Sequence, residues 1–130
     1  MTVQIVVAGA LIVDGALLVA QRAHPPELAG RWELPGGKVA PGETDAAALV
    51  RELREELGVV VAVGGRLGDD VPLTPGMVLR AYRVTLVAGS AHPHDHRELR
   101  WVTGAELATL TWVPADTAWL PDLATAMAIT

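Results

Sequence analysis

The sequence predicts an α+β domain in which a mixed sheet is covered by helices, and three observations carry that reading. Short β-rich apolar runs recur along the chain, separated by turn dipeptides and prolines. One internal segment, residues 44–57, combines a helix start signal, an apolar arc at helical spacing and a glycine stop. Helices are interleaved with strands that look predominantly antiparallel, the pattern of a layered α+β sandwich. At 130 residues the chain fits one domain over residues 1–130, since one core at this length buries about two thirds of the unfolded surface.

Residues 3–13 and 16–21 are two β-rich runs around Asp14-Gly15, a dipeptide suited to a hairpin turn. Pro25 and Pro26 break regular structure, so 24–30 reads as a loop leading into a short strand at Arg31-Trp32-Glu33-Leu34, which Pro35, Gly36 and Gly37 end. Pro41-Gly42 precedes Thr44, which can cap a helix with Asp45 in its first turn. That helix runs to Leu57 and stops at Gly58. Residues 59–63 and 77–86 read as strands joined by a connection rich in Gly, Asp and Pro. Residues 89–97 form a loop with three of the four histidines. A strand at 98–102, a helical turn or two at 104–110 and a terminal helix from near Pro121 complete the order.

Composition excludes several function classes. The chain is 51% hydrophobic and 19% charged with one Tyr and no Phe, so Val, Leu and Ala must build a globular core. The apolar stretch from Ile5 to Val13 is too short to span a membrane and no basic segment precedes it, which predicts a cytoplasmic protein with no membrane partner. With no cysteine, only oxygen and imidazole ligands remain for a metal, favouring a hard cation. The net charge of -5 argues against a nucleic-acid polymer as partner, because polymer binding depends on Lys and Arg neutralising phosphates. A small anion received by a metal or a local arginine stays open.

The informative segment is 37–59, GKVAPGETDAAALVRELREELGV. With Glu52 at zero on a helical wheel, Glu55 falls at about -60° and Glu56 at about +40°. Three carboxylates share one face beside an arc of Val50, Leu53 and Leu57, with Arg51 and Arg54 on the remaining side. Like charges at these spacings each cost roughly 0.2–0.5 kcal/mol, and near the helix C-terminus carboxylates lose a further ~0.3–1 kcal/mol. A divalent cation would reverse both signs; a solvated face neutralised by the arginines is the plain alternative.

The spacing resembles the Nudix box at every defining position: Gly37, Glu43, then Arg51-Glu52-Leu53, Glu55-Glu56 and Gly58-Val59. The resemblance implies a Nudix-type α/β/α sandwich with a mixed sheet, a requirement for Mg²⁺ or Mn²⁺, and hydrolysis of a nucleoside diphosphate linked to a further group. Carried onto this chain, it makes Glu52, Glu55, Glu56 and the Gly37 carbonyl metal ligands, with Glu43 and Arg51 supporting the site and Glu52 preferred over Glu43 as general base. A further acidic ligand comes from the late loop, Glu98 being preferred over Asp95. A zinc site at His92, His94 and His96 is disfavoured, because alternate loop residues need not converge.

Flanking segments, Leu18-Val19-Ala20-Gln21-Arg22, Trp32-Glu33-Leu34-Pro35-Gly36-Gly37-Lys38, Leu99-Arg100-Trp101-Val102 and Trp112-Val113-Pro114-Ala115-Asp116, are similar to the MutT-type subgroup. That implies release of nucleoside monophosphate and pyrophosphate from a small-molecule nucleoside triphosphate. Arg22 and Lys38 are then candidates for phosphate or sugar contact, Leu34 and Leu79 for the walls of a base pocket, and Tyr82 for stacking. Asp116 stands where relatives often place Asn. As an ionised acceptor it would favour a base edge that donates, such as the cytosine N4 amine, with the guanine N1 and N2 donors also open; it could instead fold back on nearby backbone. The expected substrates are dCTP, CTP or 5-methyl-dCTP, or 8-oxo-dGTP in nucleotide-pool sanitation. A non-catalytic nucleotide sensor is the alternative, disfavoured because Glu43, Glu52, Glu55 and Glu56 are all retained. Oligomeric state is left open.

Overall fold

The computed structural model describes residues 3–128. Strand β1 (Gln4–Val13) organises the sheet. Its end pairs antiparallel with β2 (Ala16–Gln21), Ile12 opposite Leu17. Its first half lies between β4 (Gly36–Lys38), antiparallel, and β6 (Met77–Ala88), parallel in register Gln4 to Met77 through Leu11 to Val84. Beyond β2 lie β3 (Trp32–Glu33) and β7 (Glu98–Val102), both antiparallel to it, and β5 (Val60–Thr74) pairs with β6 at the far edge.

Both faces of this sheet are covered, which is why β1 and β2 read as continuous apolar runs. On one face α1 (Asp45–Leu57) packs Leu49, Leu53 and Leu57 on Val7, Leu11, Leu18, Val61 and Val84. On the other, α2 (Leu120–Ala128) and two 3₁₀ turns, 104–109 and 114–119, bury Trp119, Leu123 and Met127 against Ala8, Ala10, Leu17, Val19 and Leu79. The α/β/α layering matches the expectation. Thr44 caps α1, its hydroxyl accepting from the Ala47 N–H at 3.1 Å, and Gly58 ends it with φ 76°. Leu49 and Ala48 take the buried arc with Leu53 and Leu57, while Val50 is only half-buried.

Two local details go beyond the expectation. The short strand ends at Glu33, before Pro35, as expected, but Gly36 and Gly37 open a new strand, residues 36–38, against β1. Residues 64–74 are not a loop but the continuation of β5, with register shifts at Val63/Arg66, Leu67/Val71 and Pro72/Thr74. An edge strand tolerates the glycines and the proline that would disqualify a central one, because its outer N–H groups need no partner and bulges absorb the extra residues. At Gly68, with φ 63°, a Cβ would lie 2.7 Å from an Asp122 carboxylate oxygen of α2. Among the described residues no helix is long and apolar enough to cross a membrane.

Candidate active site

A cavity of about 440 Å³ opens where β1, β4 and the 114–119 turn meet. Val6, Ala8, Leu34, Met77, Leu79, Val113 and Ala115 give it an aliphatic interior, Asp116 stands in its lining, and Gly36, Gly37, Lys38, Glu56, Asp95 and His96 form a polar rim with Arg22 and Glu33. Of the residues expected to touch substrate, Arg22, Leu34, Lys38, Leu79 and Asp116 therefore line one space.

Tyr82 is the exception, and this corrects the sequence reading. Its ring packs on the α1 face and its hydroxyl donates to Asp45 at 2.7 Å, pinning the first turn of α1 together with Arg80, which donates to the same carboxylate oxygen at 2.9 Å. Burial alone would raise the Asp45 pKa, but these two hydrogen bonds together with the charges of Arg80 and Arg66 outweigh it and hold the carboxyl below its usual value. The signal was legible in the parity of the strand. Side chains alternate between faces, so Leu79 and Tyr82, three residues apart on one regular strand, cannot share a pocket.

The box residues converge around Arg51. Its guanidinium donates to Glu43 at 2.8 and 2.9 Å, to Glu52 at 3.0 Å, to Glu55 at 3.3 Å and to the Lys38 carbonyl at 3.2 Å. Arg51, expected to support the site, is thus the hub of the acidic stripe. Its hydrogen bonds, with one from the Ala40 N–H, hold the Glu43 carboxyl at about 2. Glu52 lies directly over Gly37: a Cβ on that glycine would be 2.3 Å from the Glu52 carboxyl carbon. A Cβ on Gly36 would sit 1.9 Å from the Val7 carbonyl oxygen, so both glycines are demanded by close approach.

Glu56 has no such partner. Its Oε2 is buried without a hydrogen bond, and burial, reinforced by the nearby charges of Glu52 and Glu33 against that of His96, raises its pKa to about 7. An orphaned carboxylate oxygen, a second carboxylate lying on a glycine backbone and a donor set made only of oxygen fit a hard divalent cation. Among the described residues no three His, Asp or Glu side chains are already gathered as a finished cage; Arg51 supplies the counter-charge to Glu52 and Glu55.

Of the two late acids Asp95 lines the cavity, whereas Glu98, half-exposed at the start of β7, turns to Arg100 at 3.5 Å. The loop brings residues 92–96 back onto the end of α1 before β7 begins, which sets Asp95 rather than Glu98 at the cavity. His92 N–H donates to the Leu57 carbonyl, His94 N–H to that of Glu56, and the His94 ring bonds that of Glu55 at 2.9 Å, satisfying carbonyls that a helix end leaves unpaired. His96 instead meets Glu33 at 3.0 Å, so the His94 and His96 rings turn to different partners.

Asp116 is 3% exposed, and its Oδ2 accepts from the Leu34 N–H at 2.8 Å. Trp32 positions it: the backbone of residues 111–113 clasps β3 through Trp32 N–H to the Thr111 carbonyl and Val113 N–H to the Trp32 carbonyl. Burial pushes the Asp116 carboxyl up to about 7, against the Leu34 hydrogen bond. Burial thus disfavours the ionised form on which the acceptor expectation rested. The bond goes to a backbone N–H 82 residues away and not to the nearby backbone of its own turn, and it leaves Asp116 in the pocket lining. The contact between Glu33 and His96 was not foreseen from the sequence, since nothing local announces that a two-residue strand and a loop will meet beside Arg22.

This fold, the box geometry around Glu52 and the adjoining pocket define a class, and the chain belongs to the Nudix family: the NUDIX domain matches residues 3–123. It is a Nudix hydrolase of pyrophosphohydrolase type, and the family generally uses a divalent metal. The chain is 62% identical over 124 residues to the "Putative 8-oxo-dGTP diphosphatase 2" of Mycobacterium tuberculosis, covering 93% of this chain and 88% of that protein. It is 40% identical over 113 residues to the CTP pyrophosphohydrolase of Escherichia coli, covering 85% and 84%. Among solved structures, that of the E. coli ORF135 protein superposes with TM-score 0.80 at 36% identity, covering 99% of this chain and 91% of the other. A MutT NUDIX hydrolase from Burkholderia pseudomallei gives 0.76 at 28%, covering 94% and 98%.

Proposed function

We propose that this chain is a Mg²⁺-dependent nucleoside triphosphate pyrophosphohydrolase that releases nucleoside monophosphate and pyrophosphate and reads cytosine nucleotides, dCTP, CTP or 5-methyl-dCTP. The observation that carries the base assignment is Asp116, a buried carboxyl in an aliphatic pocket, with one oxygen fixed on Leu34 N–H and a pKa of about 7. Such a group can donate to cytosine N3 while accepting from N4, a pairing open to neither an amine nor a permanent anion. The CTP activity named for the E. coli relative supports it. The second reading, 8-oxo-dGTP, is favoured by the name of the mycobacterial relative, and would use the ionised carboxyl as acceptor for guanine N1 and N2 donors.

Glu52, Glu56 and the Gly37 carbonyl would hold the cation, with Glu55 and Asp95 beside them. When bound it would neutralise phosphate oxygens and lower the pKa of a water for in-line attack. Arg51 anchors Glu43 and aims Glu52, the proposed base for that water's proton. Lys38 and Arg22 at the rim would take phosphate or sugar oxygens, and the aliphatic walls would exclude water from the base. Positioning and charge stabilisation are what phosphoryl transfer most requires. The retained Glu43, Glu52, Glu55 and Glu56 weigh against a sensor.

The test is pyrophosphate release with Mg²⁺ on dCTP, CTP, 5-methyl-dCTP, dGTP and 8-oxo-dGTP, with wild type and Glu52→Gln. Cytosine preference lost in Asp116→Leu supports the assignment, and a preference for 8-oxo-dGTP replaces it with the second reading. Near-normal turnover by Glu52→Gln would overturn the catalytic assignment.

A further inference from the structure

We infer that His96 is a positioning residue: through Glu33 it fixes the Arg22 guanidinium at the pocket rim and so holds the substrate pocket in register with the carboxylate helix. The inference rests on the proposed contact of Arg22 with the nucleotide.

The geometry is a chain of committed hydrogen bonds. Arg22 Nη1 donates to both oxygens of Glu33, at 3.0 and 3.3 Å, and Arg22 Nε donates to the His24 carbonyl at 3.0 Å. Glu33 Oε2 also meets His96 Nε2 at 3.0 Å. A carboxylate accepts only, so the proton of this bond sits on Nε2. Glu33 belongs to a two-residue strand, and its carboxylate is held by Arg22 on one side and His96 on the other. Without His96 the Arg22–Glu33 pair would be tethered on the Arg22 side alone and free to swing as a unit.

His96 can serve as the fixed point because the loop before it is strapped to α1 by the backbone of His92 and His94 and by the His94 ring. The path therefore runs from the end of the helix bearing Glu52 and Glu56, through the loop, to the arginine at the pocket rim.

The ring is retained at a cost. His96 is 8% exposed in its side chain, and its Nδ1 is buried with no hydrogen-bond partner. A buried nitrogen left unpaired destabilises the fold, and an apolar side chain of similar volume would avoid that. A residue kept only for packing would not carry this penalty. What the imidazole supplies that an apolar side chain could not is the bond to Glu33, with a charge beside Glu56.

The experiment compares wild type, His96→Leu, His96→Gln, His96→Asn, Arg22→Ala and the double variant His96→Leu/Arg22→Ala by steady-state pyrophosphate release and by thermal melting. His96→Leu is expected to raise KM on the order of tenfold, the scale of weakening one hydrogen bond to a charged group, with kcat within about twofold and Tm unchanged or higher. Gln, whose amide nitrogen reaches the place of Nε2, should rescue KM; Asn, whose amide reaches only the place of Nδ1, should not. In the Arg22→Ala background the His96→Leu substitution should have no further effect, because the two act as one unit. Additive effects, or a lowered Tm with unchanged KM, overturn the positioning role while leaving the Arg22 contact intact. A normal KM for Arg22→Ala overturns that contact and the inference with it. Should His96→Leu fail to fold, the Gln and Asn pair still decides the question.

Discussion

Replacing Glu56 by Gln isolates one electrostatic cost that the fold carries. The glutamate is buried enough to raise its pKa from 4.5 to about 7, and one of its oxygens has no hydrogen bond. The folded protein therefore binds the proton more tightly than the unfolded chain does. Stability from this group is complete below pH 4.5 and is lost as pH rises through about 7. At full weight that difference is about 3 kcal/mol, and the part of the side chain still open to water brings the expectation to about 2 kcal/mol. Glu56→Gln keeps the shape and removes the titration. In metal-free buffer with chelator, the variant should match wild type at pH 4.5 and exceed it at pH 8 by about 2 kcal/mol. For a chain of 130 residues that is about 7 °C in Tm. Denaturation in urea and thermal melts across this pH range measure it, and the difference between proteins cancels the other titrating groups. Adding millimolar Mg²⁺ at pH 8 should then raise the Tm of wild type more than that of the variant, by mass action on the folded state. A stability gap independent of pH would refute the reasoning, because burial of a charge could not then be its cause.

Three further outcomes are expected. Gly37→Ala places a methyl 2.3 Å from the Glu52 carboxyl carbon; it should cut kcat at least about tenfold by displacing a ~0.5 Å-sensitive site, while circular dichroism stays that of the native fold. Tyr82→Phe removes the bond to Asp45 and should cost about 1 kcal/mol in urea denaturation with kcat/KM unchanged; a raised KM would return Tyr82 to the pocket. Asp116, with its carboxyl at about 7, should make cytosine-nucleotide turnover fall relative to 8-oxo-dGTP turnover as pH rises from 6 to 8, and Asp116→Asn should flatten that ratio, both read from paired kcat/KM profiles.

Much of this molecule was fixed locally. The Thr44 cap, the Gly58 stop and the apolar arc of α1 depend on residues within a few positions of one another, and so does the box spacing that puts Glu52, Glu55 and Glu56 on one helix face. The Asp14-Gly15 turn and the first two strands are local in the same sense. Periodicity also held information that a motif-led reading passed over, since strand parity alone separates Tyr82 from Leu79. Tertiary structure decided what depends on distant partners. Residues 64–74 became strand because β6 was available to pair with a bulged edge. Arg51, already expected to support the site with Glu43, became the centre of the acidic stripe because the preceding segment also brings the Lys38 carbonyl to it. Asp95 took the cavity from Glu98 because the loop straps itself to α1. Asp116 and Glu56 acquired pKa values near neutrality through burial, a property of everything packed around a carboxyl and of nothing in its own sequence neighbourhood.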